Sequence, residues 1–344
     1  MSRDRRREGR KIVELASKAT WKQIPLRLAH RQRRSFRVFI KTGNAAALVL
    51  SRARTVAAMF GLAFAIGWRY AQGLACDALL ALDSRPMKIA LATLVLLCCG
   101  VPLFAEPPQG YVLKWSDEFD GVALDQTKWV HWLPGKRRHA MNVPEAVAVR
   151  DGFLTIATYT EAGKHFTGII STRDKYEAQY GYYEARIQWM DAPGQWSAFW
   201  SQTPTIGKPI DDVATAGLEI DFVEHRAVDH EGKPLAAKAN FTLHWNGYGK
   251  DHKGKGHQTP ALALDKGFHI YGVEWTESSY RFFIDGKLQW EVKDPISKRP
   301  QFMILSSEVE SGAWSAAIPA EGYGDRASGK TKIVVDYVRH YMKP

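Results

Sequence analysis

The chain has 344 residues, of which 45% are hydrophobic and 12% are aromatic, so it has enough apolar side chains for a large core in one or two domains. Its net charge of +11 is concentrated at one end, because residues 1–86 hold 18 Lys and Arg against 5 Asp and Glu, whereas residues 87–344 hold 29 against 31. The near-neutral charge of the larger part argues against nucleic-acid binding.

Residues 1–86 form a basic extension without a recognisable motif; if translated, it would bind anionic surfaces. Residues 87–105 start with Met87-Lys88, continue with an apolar run and end at Ala105, which predicts a secretory signal peptide. A membrane anchor is the alternative, although the run is short for a bilayer span. We hypothesise that the natural start is Met87 and that a secreted domain, residues 106–344, meets the membrane only during export to the periplasm or the medium.

The cysteines lie only in the first part of the chain, at Cys76, Cys98 and Cys99. Residues 106–344 therefore contain neither a disulfide nor a thiol nucleophile. No His or Cys spacing in this domain fits a zinc site. We expect the domain to be held by its core alone or by another kind of metal site.

From Tyr111 onward, short segments of alternating apolar residues recur between Gly, Pro, Asp and Asn turns, which is typical of β-strands. The clearest segments are residues 152–158, 180–187, 268–275 and 333–339. There is no internal repeat and no helical period longer than a turn or two. The sequence therefore predicts an all-β domain built as a two-sheet sandwich.

Twelve Trp residues are a high count for this length. Sugar-binding clefts use such rings because the apolar faces of pyranoses stack on them, although many Trp side chains fill cores instead. Trp196 and Trp200 are four residues apart, so on a strand they share one face. These two rings are candidates for contact with a sugar, and core packing is the alternative for each.

Residues 217–225 carry three carboxylates among apolar side chains. The alternation predicts a half-buried strand on which Glu219 and Asp221 point to the same side. Glu224 follows Asp221 by three residues, so a regular strand would turn it to the opposite face. A β-bulge around Phe222-Val223 would return Glu224 to the acidic face.

Three like charges on one strand face repel one another, so a solvated acidic edge is a weaker explanation than a functional site. Retaining glycosidases need two carboxyl groups about 5–5.5 Å apart, one as nucleophile and one as acid/base. Crowding separates the pKa values of such groups, so that one stays ionised while the other keeps its proton near neutral pH. The strand therefore predicts a glycosidase site.

The pattern Glu-Ile-Asp-x-x-Glu resembles the bulged active-site signature of glycoside hydrolase family 16, which includes laminarinases, agarases and carrageenases. Other segments resemble that family in the same order along the chain: residues 115–121, 151–154, 167–172, 180–186, 194–200, 268–275, 283–286 and 335–339. The resemblance spans nearly all of residues 106–344. It implies a concanavalin-like β-jelly-roll sandwich with an open concave substrate groove.

The resemblance also implies a role for each carboxylate. Glu219 would be the nucleophile, Asp221 would assist it and Glu224 would be the acid/base, in a double displacement that retains the anomeric configuration. Trp196 would be a stacking platform beside Glu219. His225 should face away from Glu224, in the core or behind the site. No metal or other cofactor would take part in this chemistry.

Further substrate contacts are predicted around these acids. His244 has a spacing from the acidic motif that resembles the cleft histidine of laminarinases. The predicted substrate-binding set is Trp196, Trp200, His244, Trp245 and Asn142. Glu145 and the pair Arg137-Arg138 could line the far rim of the groove, with a solvated loop as the alternative.

Members of this family often bind a structural Ca²⁺ ion. The matching positions here are Glu118, the carbonyl of Gly152 and Asp336. Two carboxylates and a carbonyl are oxygen ligands of the kind that Ca²⁺ takes. Glu118 could instead only stabilise a turn.

The resemblance implies a secreted, monomeric endo-β-glycosidase acting on a polysaccharide, most often a β-1,3-glucan of the laminarin type. A β-galactanase on agar- or carrageenan-type galactan is a close alternative, because Ser197 stands where laminarinases usually carry Pro. Basic residues 136–138 would favour a sulfated galactan, and the insert at residues 203–216 is expected to shape one end of the groove. Transglycosylation and a non-catalytic lectin on the same fold remain open.

Overall fold

The computed structural model describes four stretches of the chain: residues 21–25, 37–41, 107–312 and 314–344. The chain divides into two compact units, Met1–Pro102 and Leu103–Pro344. In the first unit, strands β1 (Trp21–Pro25) and β2 (Arg37–Lys41) pair antiparallel. The predicted signal peptide and the rest of the basic extension lie outside the described residues. Within the described stretches, no helix is both long and apolar enough to cross a bilayer.

One large sheet of the second unit carries the acidic segment. Its strands, numbered along the chain and given in spatial order, are β17 (Lys253–Gln258), β16 (Asn240–Trp245), β15 (Glu219–Arg226), β14 (Gln195–Gln202), β21 (Gln301–Val309), β11 (Ile169–Ser171) and β4 (Val130–His131), with β12 (Glu177–Ala178) also on β21. All of these pairings are antiparallel. Antiparallel sheets commonly bury one face and leave the other for solvent or ligands. We call this sheet the groove sheet.

A second large antiparallel sheet packs behind the groove sheet. Its strands in spatial order are β20 (Lys287–Val292), β19 (Tyr280–Ile284), β18 (His269–Trp275), β13 (Gly181–Met190), β22 (Lys332–Met342), β8 (Phe153–Ala157) and β7 (Val147–Arg150), with β3 (Val112–Asp117) also on β22. A smaller sheet contains β5 (Gly135–Arg137), β6 (Ala140–Asn142), β10 (Lys164–Thr167) and β9 (Tyr159–Glu161). The described helices of this unit are a 3-10 turn, Pro144–Ala146, and α1, Val213–Ala216.

Aromatic and β-branched side chains fill the space between the two large sheets. Tyr183 of β13 contacts Phe222 of β15 with ring centroids 5.2 Å apart, and Phe241 of β16 contacts Phe282 of β19 at 5.1 Å. All four rings are almost completely buried. Because alternate residues of a strand point to opposite faces, the same strands that build this core present their other side chains outward. The predicted all-β sandwich is confirmed.

The insert at residues 203–216 contains α1, a single helical turn that the sequence analysis did not predict. Asp212 caps it, because its side chain accepts a hydrogen bond from the backbone N–H of Thr215 at 3.1 Å. Asp at this position satisfies one of the unpaired N–H groups of a helix N-terminus. The turn returns the chain to Gly217 and the start of β15.

Candidate active site

The three carboxylates lie on one face of β15 because the strand contains a bulge. Along β16, Asp221 pairs with Thr242 and Glu224 with Asn240, so three steps on β15 match two on its neighbour. The extra residue lies within Phe222-Val223, and both of these side chains are fully buried in the core. The predicted bulge is therefore confirmed, and it brings Glu219, Asp221 and Glu224 to the outer face of the groove sheet.

Glu219 is held as a hydrogen-bond acceptor. Its Oε2 accepts a hydrogen bond from Nε2 of Gln202 at 3.1 Å and another from the hydroxyl of Tyr248. Its Oε1 lies 4.0 Å from Nε2 of His244, which comes from the neighbouring strand β16. Burial raises the pKa of Glu219, and the Tyr248 hydroxyl, the His244 charge and the Gln202 amide each oppose that rise. These three partners favour the carboxylate form of Glu219.

Asp221 and Glu224 have fewer partners. Oδ2 of Asp221 lies 3.4 Å from Nε2 of His244 but has no hydrogen bond within the described residues. Oε2 of Glu224 accepts a hydrogen bond from Thr242 at 3.2 Å. Burial raises the pKa of Asp221 well above its ordinary value, and the charge of Glu219 adds to that rise. The pKa of Glu224 is also raised well above its ordinary value, first by burial and then by the charge of Asp221.

The same cluster contains a set of metal-ligating atoms. Glu219, Asp221 and His244 each offer one such atom, and the three atoms lie within 4.8 Å of one another. Carboxylate and imidazole donors suit divalent transition metals. A cation bound there would occupy the carboxylates that a glycosidase mechanism needs free.

Two adjoining cavities open over the carboxylates. The first, of about 590 Å³, holds all three acids together with Trp132, Trp200, Gln202 and Tyr248. The second, of about 550 Å³, holds Glu224 but neither Glu219 nor Asp221, and is also lined by Asn240, Thr242, Gln258 and Trp314. Arg138, Trp196, Glu224 and His244 line both cavities. We call them the nucleophile-side cavity and the outer cavity; together they form a groove on both sides of Glu224.

Comparison with known proteins decides the family. A family model described as "Beta-porphyranase A-D, GH16 domain" matches residues 111–343. The chain belongs to glycoside hydrolase family 16.

Two relatives of this family 16 chain have names that indicate different substrates. It is 27% identical over 213 residues to "Glucan endo-1,3-beta-glucosidase A1" of Niallia circulans, a match that covers 53% of this chain and 30% of the relative. It is 29% identical over 268 residues to "Beta-porphyranase D" of Zobellia galactanivorans, covering 69% and 62%. The chain thus spans less than two thirds of the length of either relative.

A solved structure supports the family 16 fold directly. The crystal structure of porphyranase B from Zobellia galactanivorans superposes with a TM-score of 0.55 at 22% identity, covering 67% of this chain and 92% of that chain. At this identity the match shows the fold alone. The predicted β-jelly-roll sandwich is confirmed.

Three of the predicted substrate-binding residues line the family 16 groove. Trp196 and Trp200 lie on the same face of β14, toward the groove, and His244 of β16 lies opposite Glu219. The ring of Trp196 meets Trp314 edge to face with centroids 5.7 Å apart, and the guanidinium of Arg138 lies 5.1 Å from its centroid. Trp200 also donates a hydrogen bond from Nε1 to Ser306 at 3.0 Å.

Two predicted substrate-binding residues do not reach the groove. Trp245 packs against the main hydrophobic core. Since it follows His244 on the same strand, it must point to the opposite face. Asn142 is buried, and it donates from Nδ2 to the carbonyl of Leu133 at 2.6 Å while its Oδ1 accepts from the N–H of Ile169 at 3.0 Å. Its role is to fix the backbone behind Trp132.

The predicted far rim is partly confirmed. Arg137 and Arg138 line the nucleophile-side cavity, whereas Glu145 is exposed and lines neither described cavity. Nε of Arg137 lies 2.6 Å from Glu308, which is buried on β21. Arg138 contacts Glu308 at 3.3 Å and Glu310 at 2.7 Å. The basic rim is therefore neutralised by two carboxylates.

Several groove residues were not predicted from the sequence. Gln202 has the same strand parity as Trp196 and Trp200, so alternation along β14 was the signal that could have found it. Tyr248 lies in a turn where no strand parity applies. The only signal was an aromatic residue set between glycines, Gly247 and Gly249. Trp132 and Trp314 also belong to this missed set.

His225 lies behind the groove, as predicted. It is buried and stacks on Trp189 with centroids 5.2 Å apart. Its Nδ1 lies 2.6 Å from Oδ2 of Asp191 and its Nε2 lies 2.8 Å from the carbonyl of Ala236. Oδ1 of the same Asp191 accepts a hydrogen bond from Ser197 at 2.8 Å. Ser197 is thus part of a buried polar network and touches neither cavity.

The predicted calcium positions do not fit a calcium ion in this arrangement. Both oxygens of Glu118 accept hydrogen bonds from Arg339, at 2.9 and 2.8 Å. Oδ2 of Asp336 lies 2.8 Å from Arg186. Ca²⁺ needs six to eight oxygen ligands, including carboxylates whose charge is available to it. Here each carboxylate is already paired with a guanidinium, so the charge that Ca²⁺ would use is neutralised.

Proposed function

We propose that residues 106–344 are a retaining endo-β-glycosidase that hydrolyses a neutral β-linked polysaccharide, with β-1,3-glucan as the first candidate. One observation carries this proposal. On one face of a single bulged strand, burial raises the pKa of both Glu219 and Glu224, but hydrogen bonds from Tyr248 and Gln202 oppose that rise at Glu219, whereas the charge of Asp221 adds to it at Glu224. A nucleophile and a general acid need this division.

In the first step, the Glu219 carboxylate attacks the anomeric carbon as the glycosidic C–O bond breaks. Glu224 transfers its proton to the departing oxygen, so the leaving chain departs as an alcohol. A covalent glycosyl ester on Glu219 results, and Glu224 is left ionised. Glu224 lines both cavities, which agrees with a position beside the departing oxygen.

In the second step, Glu224 removes a proton from a water molecule, which attacks the same carbon. The ester bond breaks, its electron pair returns to the Glu219 carboxylate, and Glu224 regains its proton. Two inversions give net retention. Asp221 lies between the two glutamates on β15 and His244 lies opposite Glu219 on β16, so we assign them to positioning Glu219 and to adjusting the charge that Glu224 experiences.

Cleavage inside a chain is supported by the two adjoining cavities. The nucleophile-side cavity would hold sugars on the non-reducing side of the broken bond, and the outer cavity would hold sugars on the leaving side. Trp200 and Trp132 line the first, Trp314 lines the second, and Trp196 lines both. Aromatic rings stack on sugars, and Trp132 and Trp314 are the more exposed of these four rings, because Trp196 and Trp200 are only 8% and 7% accessible.

A neutral substrate is supported by the charges of the groove. Arg137 and Arg138 are the arginines of the nucleophile-side cavity, and both are paired with Glu308. A sulfate would have to compete for these partly exposed guanidinium groups with the buried carboxylate of Glu308, which already offsets part of their charge. The name of the Niallia circulans relative agrees with a β-1,3-glucan.

A β-galactan is the second candidate. The description of the matching family model and the name of the Zobellia galactanivorans relative favour it. Ser197 does not add to this case by direct contact, because its hydroxyl points into the buried network around Asp191. The choice between the two depends on the groove residues themselves.

The proposal is tested by comparing three purified variants with the wild type. We expect Glu219→Gln to abolish release of reducing sugar, and Glu224→Gln to lower kcat by about 10²- to 10⁴-fold because general acid catalysis is lost. Glu274→Gln is the matched control, since Glu274 is a buried strand carboxylate of the other large sheet. Full activity of Glu219→Gln, with an unchanged melting temperature, would contradict the mechanism.

Two further measurements complete this test. Proton NMR of the first products should show the β-anomer before mutarotation. A panel of laminarin, lichenan, agarose, porphyran and carrageenan separates the substrate candidates, with EDTA added to one arm to test metal dependence. Binding to one of these glycans without any cleavage would support the lectin alternative instead.

A further inference from the structure

The hydroxyl of Tyr248 contacts the proposed nucleophile although the tyrosine lies on an exposed turn. Tyr248 follows β16 in the turn that leads to β17, and 60% of its surface is accessible. Its hydroxyl nevertheless donates a hydrogen bond to Oε2 of Glu219 and contacts Nε2 of Gln202. The ring forms part of the wall of the nucleophile-side cavity. A bound sugar would therefore cover a side chain that already touches the reacting carboxylate.

The insert at residues 203–216 fixes this turn. A Cβ atom on Gly207 would lie 2.6 Å from the backbone nitrogen of Gly247. Only glycine therefore allows the two backbones to approach this closely. Asn246 donates from Nδ2 to Asp211 at 2.7 Å and accepts from the Asp211 N–H at 3.1 Å. Lys253 donates to the same Asp211 side chain at 2.6 Å. The turn is thus braced where it carries Tyr248.

The Tyr248 hydroxyl can act only as a donor toward Glu219. Burial of the hydroxyl and the charge of Glu219 both raise the pKa of Tyr248 above its ordinary value of 10. The phenol therefore keeps its proton throughout the pH range in which a glycosidase would work. An ionised Glu219 has no proton to give, so the hydrogen bond always runs from Tyr248 to the carboxylate.

The two oxygens of Glu219 are consequently different. Oε2 accepts from both Tyr248 and Gln202, whereas Oε1 has no such donor among the described residues and lies 4.0 Å from Nε2 of His244. Oε1 is the oxygen left free to bond the anomeric carbon. In the glycosyl ester, Oε2 would be the carbonyl oxygen, and it would gain negative charge as the ester breaks.

We propose that Tyr248 is an additional catalytic residue, whose hydroxyl stabilises negative charge on Oε2 of Glu219 and so speeds the breakdown of the glycosyl ester. This inference rests on the proposed function. Donors placed where charge develops lower the barrier of a step. When water attacks, the bond between the anomeric carbon and Oε1 breaks and its electron pair spreads over the carboxylate that Tyr248 holds. The same contact favours the ionised form of Glu219 before the first step.

The test compares Tyr248→Phe with the wild type in the full chain. On the polysaccharide that the panel identifies, we expect kcat to fall by roughly 10- to 100-fold, the range for losing a hydrogen bond to a charged group. The acidic limb of the profile of kcat/KM against pH should move upward by about one unit, since Glu219 loses a partner of its charged form. With an activated aryl glycoside of the same sugar, the variant should show a burst of aryl alcohol, because ester breakdown has become slower than ester formation.

Tyr111→Phe is the matched control. The Tyr111 hydroxyl donates to Glu274 at 3.0 Å, which is the same type of bond placed on the other large sheet. We expect this variant to keep the wild-type acidic limb and to show no burst. A rise in KM at constant kcat for Tyr248→Phe, with an unmoved acidic limb, would mean that Tyr248 only contacts substrate and would overturn the proposal.

A measurement without substrate separates this inference from the proposed function. Carbon-13 NMR of protein labelled at the glutamate carboxyls follows the titration of Glu219, assigned by comparison with Glu219→Gln. We expect the Glu219 pKa to be higher in Tyr248→Phe than in the wild type. If the wild type cleaves nothing but this pKa moves, the proposed function fails while the contact stands. If the wild type is active but the pKa does not move, the role of Tyr248 is wrong.

Discussion

At the scale of single residues, three similar carboxylates on one strand have different environments. Glu219 has two hydrogen-bond donors on one oxygen and an imidazole beside the other. Glu224 has one weak donor, Thr242, and the neighbouring Asp221. Chemically similar side chains on one strand thus have neighbours that oppose the rise of the pKa at Glu219 and add to it at Glu224.

We expect the Asp221→Asn variant to change the basic limb of the activity profile. The charge of Asp221 raises the pKa of Glu224, so its removal lowers that pKa. Glu224 then loses its catalytic proton at a lower pH, and the basic limb of kcat/KM should move downward by about one unit. The measurement is kcat/KM against pH for the wild type and the variant. A basic limb that stays in place would show that Asp221 does not tune Glu224.

At the scale of elements, strand alternation explains both the successes and the failures of the sequence analysis. Alternation with one inserted residue predicted that Glu219, Asp221 and Glu224 share a face. His244 and Trp245 are consecutive on β16, so they point to opposite faces of the sheet. Because His244 faces the groove, Trp245 cannot. Both residues were predicted for the site, and the prediction was wrong for Trp245.

Turns and buried polar groups could not be predicted in this way. Tyr248 reaches Glu219 only because the insert braces the turn after β16, a contact between segments that are distant in sequence. Asn142 was predicted as a substrate-binding residue at the rim of the groove. Its amide instead satisfies backbone groups of Leu133 and Ile169 in the interior.

The last strand of the fold contains a titratable group that should make stability depend on pH. His340 of β22 is buried and stacks on Tyr183 with centroids 4.1 Å apart. Its Nδ1 lies 2.7 Å from the hydroxyl of Tyr176, and its Nε2 lies 2.9 Å from the carbonyl of Tyr180. Burial lowers the pKa of His340 from 6.5 to about 4.

We expect His340 to make the folded domain less stable as the pH falls from about 6.5 to about 4. Over that range the unfolded chain binds a proton at this histidine and the folded chain does not, so the free energy of unfolding falls by up to about 3 kcal/mol. Burial raises the pKa of Glu184 from 4.5 to about 7. Between these pH values Glu184 makes the folded domain more stable as the pH falls, which is opposite to the effect of His340. The contribution of His340 must therefore be separated from that of Glu184 by replacing the histidine.

The measurement is urea unfolding at several pH values for the wild type, His340→Gln and His230→Gln. The free energy of unfolding of His340→Gln should depend less on pH than that of the wild type, because the histidine no longer binds a proton on unfolding. The difference in stability between the variant and the wild type should therefore shrink toward pH 4. His230 is an exposed histidine, and its replacement is the control. A stability difference that is constant with pH for His340→Gln would contradict the prediction.

At the scale of the whole molecule, charge and fold divide the chain near the same place. The excess of basic residues precedes Met87, and both large sheets lie within the unit Leu103–Pro344. The family model also begins at residue 111. Secretion and a start at Met87 remain predictions, which sequencing of the N-terminus of the exported protein tests.

A chain shortened to residues 106–344 should fold and keep its activity. Every strand of the two large sheets, and every residue named in the groove, lies in this part of the chain. The hydrophobic core described between the sheets is also formed entirely by residues of this part, so its stabilising burial is retained on truncation. We expect the melting temperature and kcat on the identified glycan to match those of the full chain.

The control for this comparison is the full chain carrying Glu219→Gln, which should be inactive but melt at a similar temperature. A shortened chain that melts at the full-chain temperature yet lacks activity would mean that residues 1–105 contribute to the groove. A shortened chain that aggregates, or melts many degrees lower, would mean that the core between the two sheets is insufficient by itself. Either result would contradict the division of the molecule into a basic extension and a self-sufficient catalytic domain.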